Sequence, residues 1–504
     1  MSKKYAGTKK NIVLSYVNLS VNMLTGFFIL PFIVSSLGSA DYGLMQLVYS
    51  ITGYVGILDL GLGNAVTRFT AMYNTEEKHK KINTVATYSL LIYSVMAVLG
   101  LLIGLIVYYN FGNLFNLTAN EVSVGKIIFM IGFTNSLLHL PAMTFSAVIR
   151  GFNRYDYFYL TRIIKTILRI IAIIVMFKLG YGLITLFIID FVLNQTLHLF
   201  WFAFNIQKLN LRFTLGELDK EFKKEFGVYS FYVFLGVITD QIYWRTDNIL
   251  LGIFTSTEEI AVYSISQKIV GYFKSIATTF TGAFLPKLTN MVFKERSNSK
   301  ILGFFTKASK YQFVIVLVIL TNFILLGREF IFLWVGNNYI KAYYYSLIIM
   351  IPFTIPLFQT TGFRILYAQN KHKVRSIVFL FNAIINIIVS VFLINKIGVI
   401  GAAIGTGLAL FLGNTLFMNY YYKKELGLKI LNFFKTVCLK TFLAIIPTIL
   451  ILLSSYSLYP NYSFQNFMFR GIFSNVPFLF ILYFFVFNEK EKEDLKSLKN
   501  NINK

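Results

Sequence analysis

Five basic residues lie inside long apolar stretches of the sequence, where a charge is costly. Arg162 and Arg169 are two helical turns apart and share one face, with Lys165 beside them. The other two are Arg245 and Lys274. Guanidinium and ammonium groups bind phosphate and carboxylate through charge-assisted hydrogen bonds. These five side chains therefore predict a binding site for an anionic substrate.

The acidic residues in comparable surroundings are fewer. Asp240 and Asp247 share a face of one predicted helix, and Arg245 points away from both. With Asp59 they are the candidates for binding a coupling proton or sodium ion. The basic residues in or bordering apolar stretches are Arg68, Arg162, Lys165, Arg169, Arg245, Lys268 and Lys274, against the acids Asp59, Asp190, Asp240 and Asp247. This net positive interior favours an anionic cargo over a cationic drug.

Residues for metal binding or catalysis are not grouped in the sequence. Cys438 is the one cysteine, so neither a disulfide framework nor a cysteine metal site is predicted. The four histidines lack ligand spacing; they are His79, His139, His198 and His372. No cofactor is predicted. The absence of a nucleophile–base pair and of a phosphate-binding glycine loop predicts a protein that is not an enzyme.

The elements that position these charges are membrane helices. The 504 residues are 56% hydrophobic and only 14% charged, with a mean hydropathy of +0.65. So little charge cannot cover the surface of a water-soluble protein, and disorder requires low hydrophobicity. We therefore predict an all-α polytopic membrane protein.

Fourteen segments have the length and apolar composition of a membrane span. They lie near 12–35, 42–68, 84–109, 125–149, 157–177, 182–205, 228–253, 259–285, 309–333, 343–366, 375–394, 398–421, 436–457 and 469–487. If the fifth span begins near residue 157 at the cytoplasmic side, Arg169 lies about 18 Å deep at about 1.5 Å per residue. That depth is past the midplane of a hydrocarbon core of about 30 Å.

The net charge of +25 reflects the predicted topology. With both termini in the cytoplasm, 34 of the 47 Lys and Arg residues fall on the cytoplasmic side and six on the opposite side. This asymmetry follows the positive-inside rule, so the charge does not indicate nucleic-acid binding.

A weak internal repeat with an offset of about 218 residues predicts two six-helix lobes of like orientation. In it, residues 149–154 match 366–371 and residues 178–182 match 396–400. The predicted organisation is an N-terminal lobe at 1–205, a cytoplasmic linker at 206–227, a C-terminal lobe at 228–421, two additional helices at 422–488 and a basic cytoplasmic tail at 489–504.

Several short motifs carry a family resemblance. They are Ser36-Leu37-Gly38, Asp41-Tyr42-Gly43-Leu44, Leu58-Asp59-Leu60-Gly61-Leu62-Gly63, Arg150-Gly151-Phe152-Asn153-Arg154-Tyr155, Asp247-Asn248-Ile249-Leu250-Leu251-Gly252 and Val262-Tyr263-Ser264. Their order and spacing resemble the polysaccharide-exporter branch of the MOP (MATE-like) superfamily, the O-antigen (Wzx-type) oligosaccharide flippases.

The resemblance implies a two-lobed transporter with a central cavity, in the bacterial cytoplasmic (inner) membrane. Its implied cargo is a polyprenyl-pyrophosphate-linked oligosaccharide, moved to the outer leaflet for O-antigen, capsule or similar biosynthesis. Polysaccharide polymerase and chain-length proteins are the further candidate partners. Two alternatives stay open: a MATE-like multidrug or cation antiporter, and a membrane-embedded polysaccharide polymerase or polyprenyl-dependent glycosyltransferase.

Overall fold

The described part of the chain is helical throughout. A computed structural model describes residues 2–216, 220–294, 298–369, 372–458, 461–487, 489 and 491–492. All regular structure in these ranges is helix, which confirms the predicted all-α class.

Nineteen α-helices follow one another in the described ranges. They are α1 (Ser2–Gly53), α2 (Leu62–Thr75), α3 (His79–Tyr109), α4 (Phe111–Leu114), α5 (Ala119–Gly151), α6 (Tyr155–Lys178), α7 (Leu183–Gln207), α8 (Lys220–Phe254), α9 (Thr257–Lys294), α10 (Asn298–Val335), α11 (Ala342–Phe358), α12 (Thr360–Ala368), α13 (His372–Ile397), α14 (Val399–Ala409), α15 (Met418–Leu426), α16 (Ile430–Phe434), α17 (Lys440–Leu458), α18 (Phe464–Phe473) and α19 (Val476–Ile481). Two 3₁₀ segments, Tyr54–Asp59 and Asn337–Tyr339, and three π-helical segments, Leu410–Phe417, Lys435–Leu439 and Leu482–Val486, join some of them.

Length and composition make this a multi-pass membrane protein. Within the described residues nine helical stretches can cross a bilayer, and the bent pair α11–α12 makes a tenth. Predicted span one and the first part of predicted span two lie in the stretch Val13–Asp59, which bends at Gly38. Predicted spans five, seven and eight correspond to α6, α8 and α9, which have 24, 35 and 38 residues but are less apolar. The total of fourteen spans stays a prediction.

The helical ladder is broken at two places near the first two predicted spans. The first is Gly38, whose φ of 78° and ψ of 176° lie outside the helical region, and it lies between predicted spans one and two. The second follows the 3₁₀ segment, where Leu60 and Gly61 take φ angles of 51° and 74°. A left-handed residue ends a helix because the hydrogen-bond ladder cannot continue through it. The sequence predicted one span across 42–68, and this second break divides it.

The chain forms two compact units. The first contains residues 1–264 and 394–399, and the second contains residues 265–393 and 400–504. Helix α8 therefore belongs to the first unit, although the sequence analysis placed residues 228–253 in the C-terminal lobe. The predicted lobes at 1–205 and 228–421 stay a prediction.

Helix α5 is central to the first unit, where it packs on α1, α2, α3, α6 and α7. A capping box starts it: the Thr118 hydroxyl accepts from the backbone N–H of Glu121, and the Glu121 carboxylate accepts from the Thr118 N–H at 2.8 Å. The same carboxylate accepts a 2.5 Å hydrogen bond from the Thr257 hydroxyl. This contact fixes the start of α9 against the start of α5.

The second unit contains a buried ion pair. Nη1 of Arg470 on α18 lies 2.5 Å from a carboxylate oxygen of Glu329 on α10, and both side chains are fully buried. The guanidinium carbon lies 4.2 Å from the ring centroid of Tyr456 on α17. Both charges went unrecognised in the sequence, because Glu329 was not among the predicted acids in apolar stretches and Arg470 was one of the six cations assigned to the side opposite the cytoplasm.

Candidate functional site

The row of cations predicted in span five lies on α6, in the first unit. With the helix beginning at Tyr155, Lys165 lies about 15 Å along it at about 1.5 Å per residue. Arg162 is exposed, while Lys165 and Arg169 are half-buried. The three cations lie in the middle of a helix that is otherwise long and apolar enough to span. Because of these three charges, α6 is not one of the nine helical stretches that are apolar enough to cross a bilayer.

Arg169 is held by a carboxylate from the next helix. Its Nη2 donates to Oδ2 of Asp190 on α7 at 3.0 Å, and its Nε donates to Oδ1 of the same group. The Tyr49 hydroxyl on α1 donates to Oδ2 at 2.7 Å. The two charged side chains are 26% and 14% exposed. A bidentate Arg–carboxylate pair therefore compensates the Arg169 charge, while part of it stays accessible.

Arg245 on α8 is joined to the same tyrosine through the backbone. Its Nη1 donates to the carbonyl oxygen of Tyr49 at 2.9 Å. The guanidinium lies against Gly53, where an added Cβ would overlap it. Tyr49 therefore links two of the predicted cations, one through its hydroxyl and one through its carbonyl. Its ring stacks on Phe187, with centroids 4.9 Å apart.

Lys165 and Arg162 differ from Arg169. Within the described ranges neither side chain has a carboxylate partner; the Arg162 guanidinium lies 5.4 Å from the centroid of the Phe158 ring. Four predicted cations lie on α6 and α8, and one described carboxylate, Asp190, forms an ion pair with one of them, Arg169. This part of the first unit has a net positive charge.

Lys274 lies on α9 in the second unit and is half-buried. The predicted polar stripe on this helix includes Gln267, Gly271 and Thr278, which are half-buried too. The opposite face is packed: Ile269, Val270, Phe273 and Ala277 are all buried. The predicted stripe therefore lies between the packed face and the exposed residues Lys268, Ser275 and Ile276.

Asp59 lies at the break in the second span. Its Oδ1 accepts from the backbone N–H of Gly63 at 3.2 Å and from the Tyr93 hydroxyl on α3. The side chain is 8% exposed. The Asp59 carboxylate thus accepts a hydrogen bond from the Gly63 N–H, which has no helical partner because it lies in the first turn of α2.

Asp247 on α8 is 1% exposed, and its Oδ2 accepts from the Tyr263 hydroxyl on α9 at 2.5 Å. Two of the predicted coupling acids, Asp59 and Asp247, therefore each hold a tyrosine hydroxyl of a neighbouring helix. The third is Asp240, whose side chain lies outside the described part of the structure. Among the described residues, no three His, Cys, Asp or Glu side chains form a group that could hold a metal ion.

The sequence analysis missed Tyr49, which bonds to both arginine sites. A signal was present, because a tyrosine hydroxyl inside an apolar span needs a polar partner. The identity of that partner depends on how α1, α7 and α8 pack.

Residues 8–292 match the model of a family described as polysaccharide biosynthesis protein. The chain is 21% identical over 429 residues to a putative O-antigen transporter of Shigella flexneri, covering 82% of this chain and 97% of the relative. It is 22% identical over 400 residues to the probable flippase AglR of Haloferax volcanii, covering 78% of each.

Solved structures share the fold. An inward-facing multidrug resistance MATE family transporter of the MOP superfamily superposes with a TM-score of 0.67 at 14% identity, covering 81% of this chain and 95% of that chain. The lipid II flippase MurJ, in an inward closed conformation, superposes with a TM-score of 0.65 at 16% identity, covering 88% and 97%. The family resemblance predicted from the motifs is confirmed.

Proposed function

Because the chain belongs to the polysaccharide biosynthesis protein family, we propose that it is a flippase for polyprenyl-pyrophosphate-linked oligosaccharides. It moves them across the bacterial cytoplasmic membrane by alternating access for cell-surface polysaccharide synthesis, with both termini in the cytoplasm. The relatives, named as a putative transporter and a probable flippase, support transport rather than catalysis. Polymerase and chain-length proteins are candidate partners.

One observation carries the proposal: the excess of cations along α6. Moving a cation to the centre of a membrane helix costs about 2.5–3.5 kcal/mol on insertion scales. Asp190 pairs directly with Arg169 and also acts electrostatically on Lys165, so one carboxylate serves two cations, and no carboxylate of the described residues forms an ion pair with Lys165 or Arg162. Water or an anionic ligand must therefore stabilise these two side chains. A pyrophosphate supplies several acceptor oxygens for an arginine fork and a lysine ammonium.

The cations have different roles in this mechanism. Lys165 and Arg162 bind the pyrophosphate or acidic sugars directly. Arg169 and Arg245 are fixed by Asp190 and Tyr49, so they add positive potential beside the cargo. The assignment of Lys274 as a cargo ligand stays a prediction from the sequence.

The coupling ion is proposed to act at Asp59, Asp240 or Asp247. At Asp59 and Asp247 a bound proton or sodium ion competes with a tyrosine hydroxyl for the carboxylate. Ion binding there loosens a contact between neighbouring helices, which gives the ion a means of changing the helix packing.

The test is export by a double variant, Arg162→Gln with Lys165→Gln, in cells that depend on this protein for surface polysaccharide. Each lost charge-assisted hydrogen bond is worth about 1.5–3 kcal/mol, so we expect at least a tenfold loss of export at unchanged protein level. Lys178→Gln is the matched control, because this exposed cation ends the same helix. Full export by the double variant would refute the proposed cargo site.

A further inference from the structure

Two histidines inside the first unit form a pair that the proposed anion site does not use. Nδ1 of His139 on α5 lies 2.9 Å from Nε2 of His198 on α7. The ring centroids are 5.0 Å apart, and the ring planes are inclined by 34°. His198 is 8% exposed, whereas His139 lies at the protein surface, within the stretch Ala119–Gly151 that can cross the bilayer. His198 is therefore the inner ring of the pair and His139 the outer ring.

The hydrogen bonds beyond the pair determine which nitrogen carries each hydrogen. Nδ1 of His198 lies 3.3 Å from Oε1 of Gln195, and Nε2 of Gln195 donates to Oδ1 of Asn135 at 3.0 Å. With its amide nitrogen used for Asn135, Gln195 presents its oxygen to His198, so Nδ1 of His198 carries the hydrogen. Nε2 of His198 then accepts, and Nδ1 of His139 donates.

This assignment leaves one place for an additional proton. Nε2 of His139 has a lone pair in the neutral ring and no hydrogen-bond partner among the described residues. Protonation there breaks none of the bonds in the network. A proton on Nε2 of His198 would instead face the hydrogen that His139 donates. The network therefore accepts one proton, at Nε2 of His139.

The charges that face the pair come from the anion site. Lys165 and Arg162 of α6 act electrostatically on the His139 ring, and Lys165 acts on the His198 ring as well. In the described parts of α1, α2 and α3, which pack on α5 too, no charged group acts on either ring. Burial is the largest factor that disfavours a positive charge on His139, and the two cations add to it. An anion bound between the cations removes the part that is due to their repulsion.

We propose that Nε2 of His139 takes up a proton when Lys165 and Arg162 bind their anion, so that the proton and the anion are bound together. This inference rests on the proposed function, because it uses the same anion site. The linkage is reciprocal: allosteric couplings typically change affinity by about 5- to 150-fold. The affinity for the pyrophosphate group therefore increases as the pH falls and Nε2 of His139 becomes protonated.

The experiment is calorimetric titration of the full chain in lipid nanodiscs, at one pH, in two buffers of different ionisation enthalpy. Inorganic pyrophosphate is the probe in one arm and undecaprenyl pyrophosphate in the other, which separates a free anion from a lipid head group. Proton uptake appears as a buffer-dependent heat. We expect uptake by the native protein, and a smaller uptake with at least fivefold weaker binding for His139→Gln. His79→Gln, at the start of α3, should behave like the native protein.

The outcomes separate the two proposals. A protonation change of the probe itself is common to all variants, so the difference between native and His139→Gln isolates the histidine. Equal uptake by both would overturn the linkage and leave the anion site intact. Failure of both probes to bind would refute the anion site, and the linkage with it.

A measurement on the native protein covers the case in which His139→Gln does not fold. With ¹⁵N-labelled histidine, addition of pyrophosphate should move one Nε2 resonance from the lone-pair position to the protonated position. An unchanged spectrum at saturating pyrophosphate would overturn the linkage.

Discussion

An arginine, a carboxylate and a tyrosine hydroxyl meet in each compact unit. The first triad is Arg169–Asp190–Tyr49, and the second triad is Arg470–Glu329–Tyr456. Each triad joins three different helices. The Tyr49 hydroxyl donates to its carboxylate at 2.7 Å, whereas the Tyr456 hydroxyl donates to the Leu325 carbonyl at 2.9 Å and lies 3.5 Å from the Glu329 carboxylate. The triads also differ in accessibility: the ion-paired side chains are 26% and 14% exposed in the first triad and fully buried in the second.

This difference separates a site from a structural contact. In the second triad the Tyr456 ring covers the guanidinium of Arg470, so neither charge can exchange its partner for a ligand. In the first triad the ion pair is partly open, and Lys165 lies one helical turn before Arg169. A charge at membrane depth is therefore evidence for a ligand site only where it is both accessible and short of counter-charge.

The largest effect is expected in the second triad. Glu329→Ala leaves the buried Arg470 without its counter-charge, and loss of one partner of a buried pair costs about 3–5 kcal/mol. We expect a correspondingly lower free energy of unfolding in detergent. The double variant Glu329→Met with Arg470→Met should recover most of it, because apolar groups need no partner. A single variant as stable as the native protein would contradict the structural role.

An intermediate effect of a different kind is expected in the first triad. Asp190→Asn keeps the shape of the side chain but removes the negative charge, which frees the Arg169 fork. The loss of stability is expected to be about 1–3 kcal/mol, because the partly exposed arginine can be solvated. The affinity for inorganic pyrophosphate should increase, and export should fall because release is slower. If a binding titration shows the same pyrophosphate affinity for Asp190→Asn as for the native protein, the first triad is purely structural, like the second.

The smallest effect is expected from the hydroxyl groups. Tyr49→Phe removes a 2.7 Å hydrogen bond to Asp190 and should cost about 0.5–1.5 kcal/mol. Tyr456→Phe should cost stability as well, through its 2.9 Å bond to the Leu325 carbonyl, but its ring stays over Arg470. Only Tyr49→Phe should alter pyrophosphate affinity. Comparison of unfolding and binding for the two variants tests this, and an equal change in binding would remove the distinction between the triads.

Local properties of the sequence determined the class of this protein and part of its site. Hydropathy over about 20 residues predicts membrane helices, because a span must bury its whole length in lipid. The helical period predicted that Arg162 and Arg169 share a face of α6, and the motifs identified the family. The break after Asp59 was missed, because an apolar run does not reveal that Leu60 and Gly61 turn left-handed.

Only the tertiary structure decided which charges are compensated. Asp190 follows Arg169 by 21 positions, Tyr49 precedes Asp190 by 141, and Glu329 precedes Arg470 by 141. Such partners lie on different helices, so no period along one helix can indicate them. Helix packing brings Asp190 into an ion pair with Arg169, and Lys165 forms no ion pair with a described carboxylate. The sequence supplied the charges, and the packing determined which of them are available to bind a ligand, because a charge in the membrane takes the counter-charge that its neighbouring helices present.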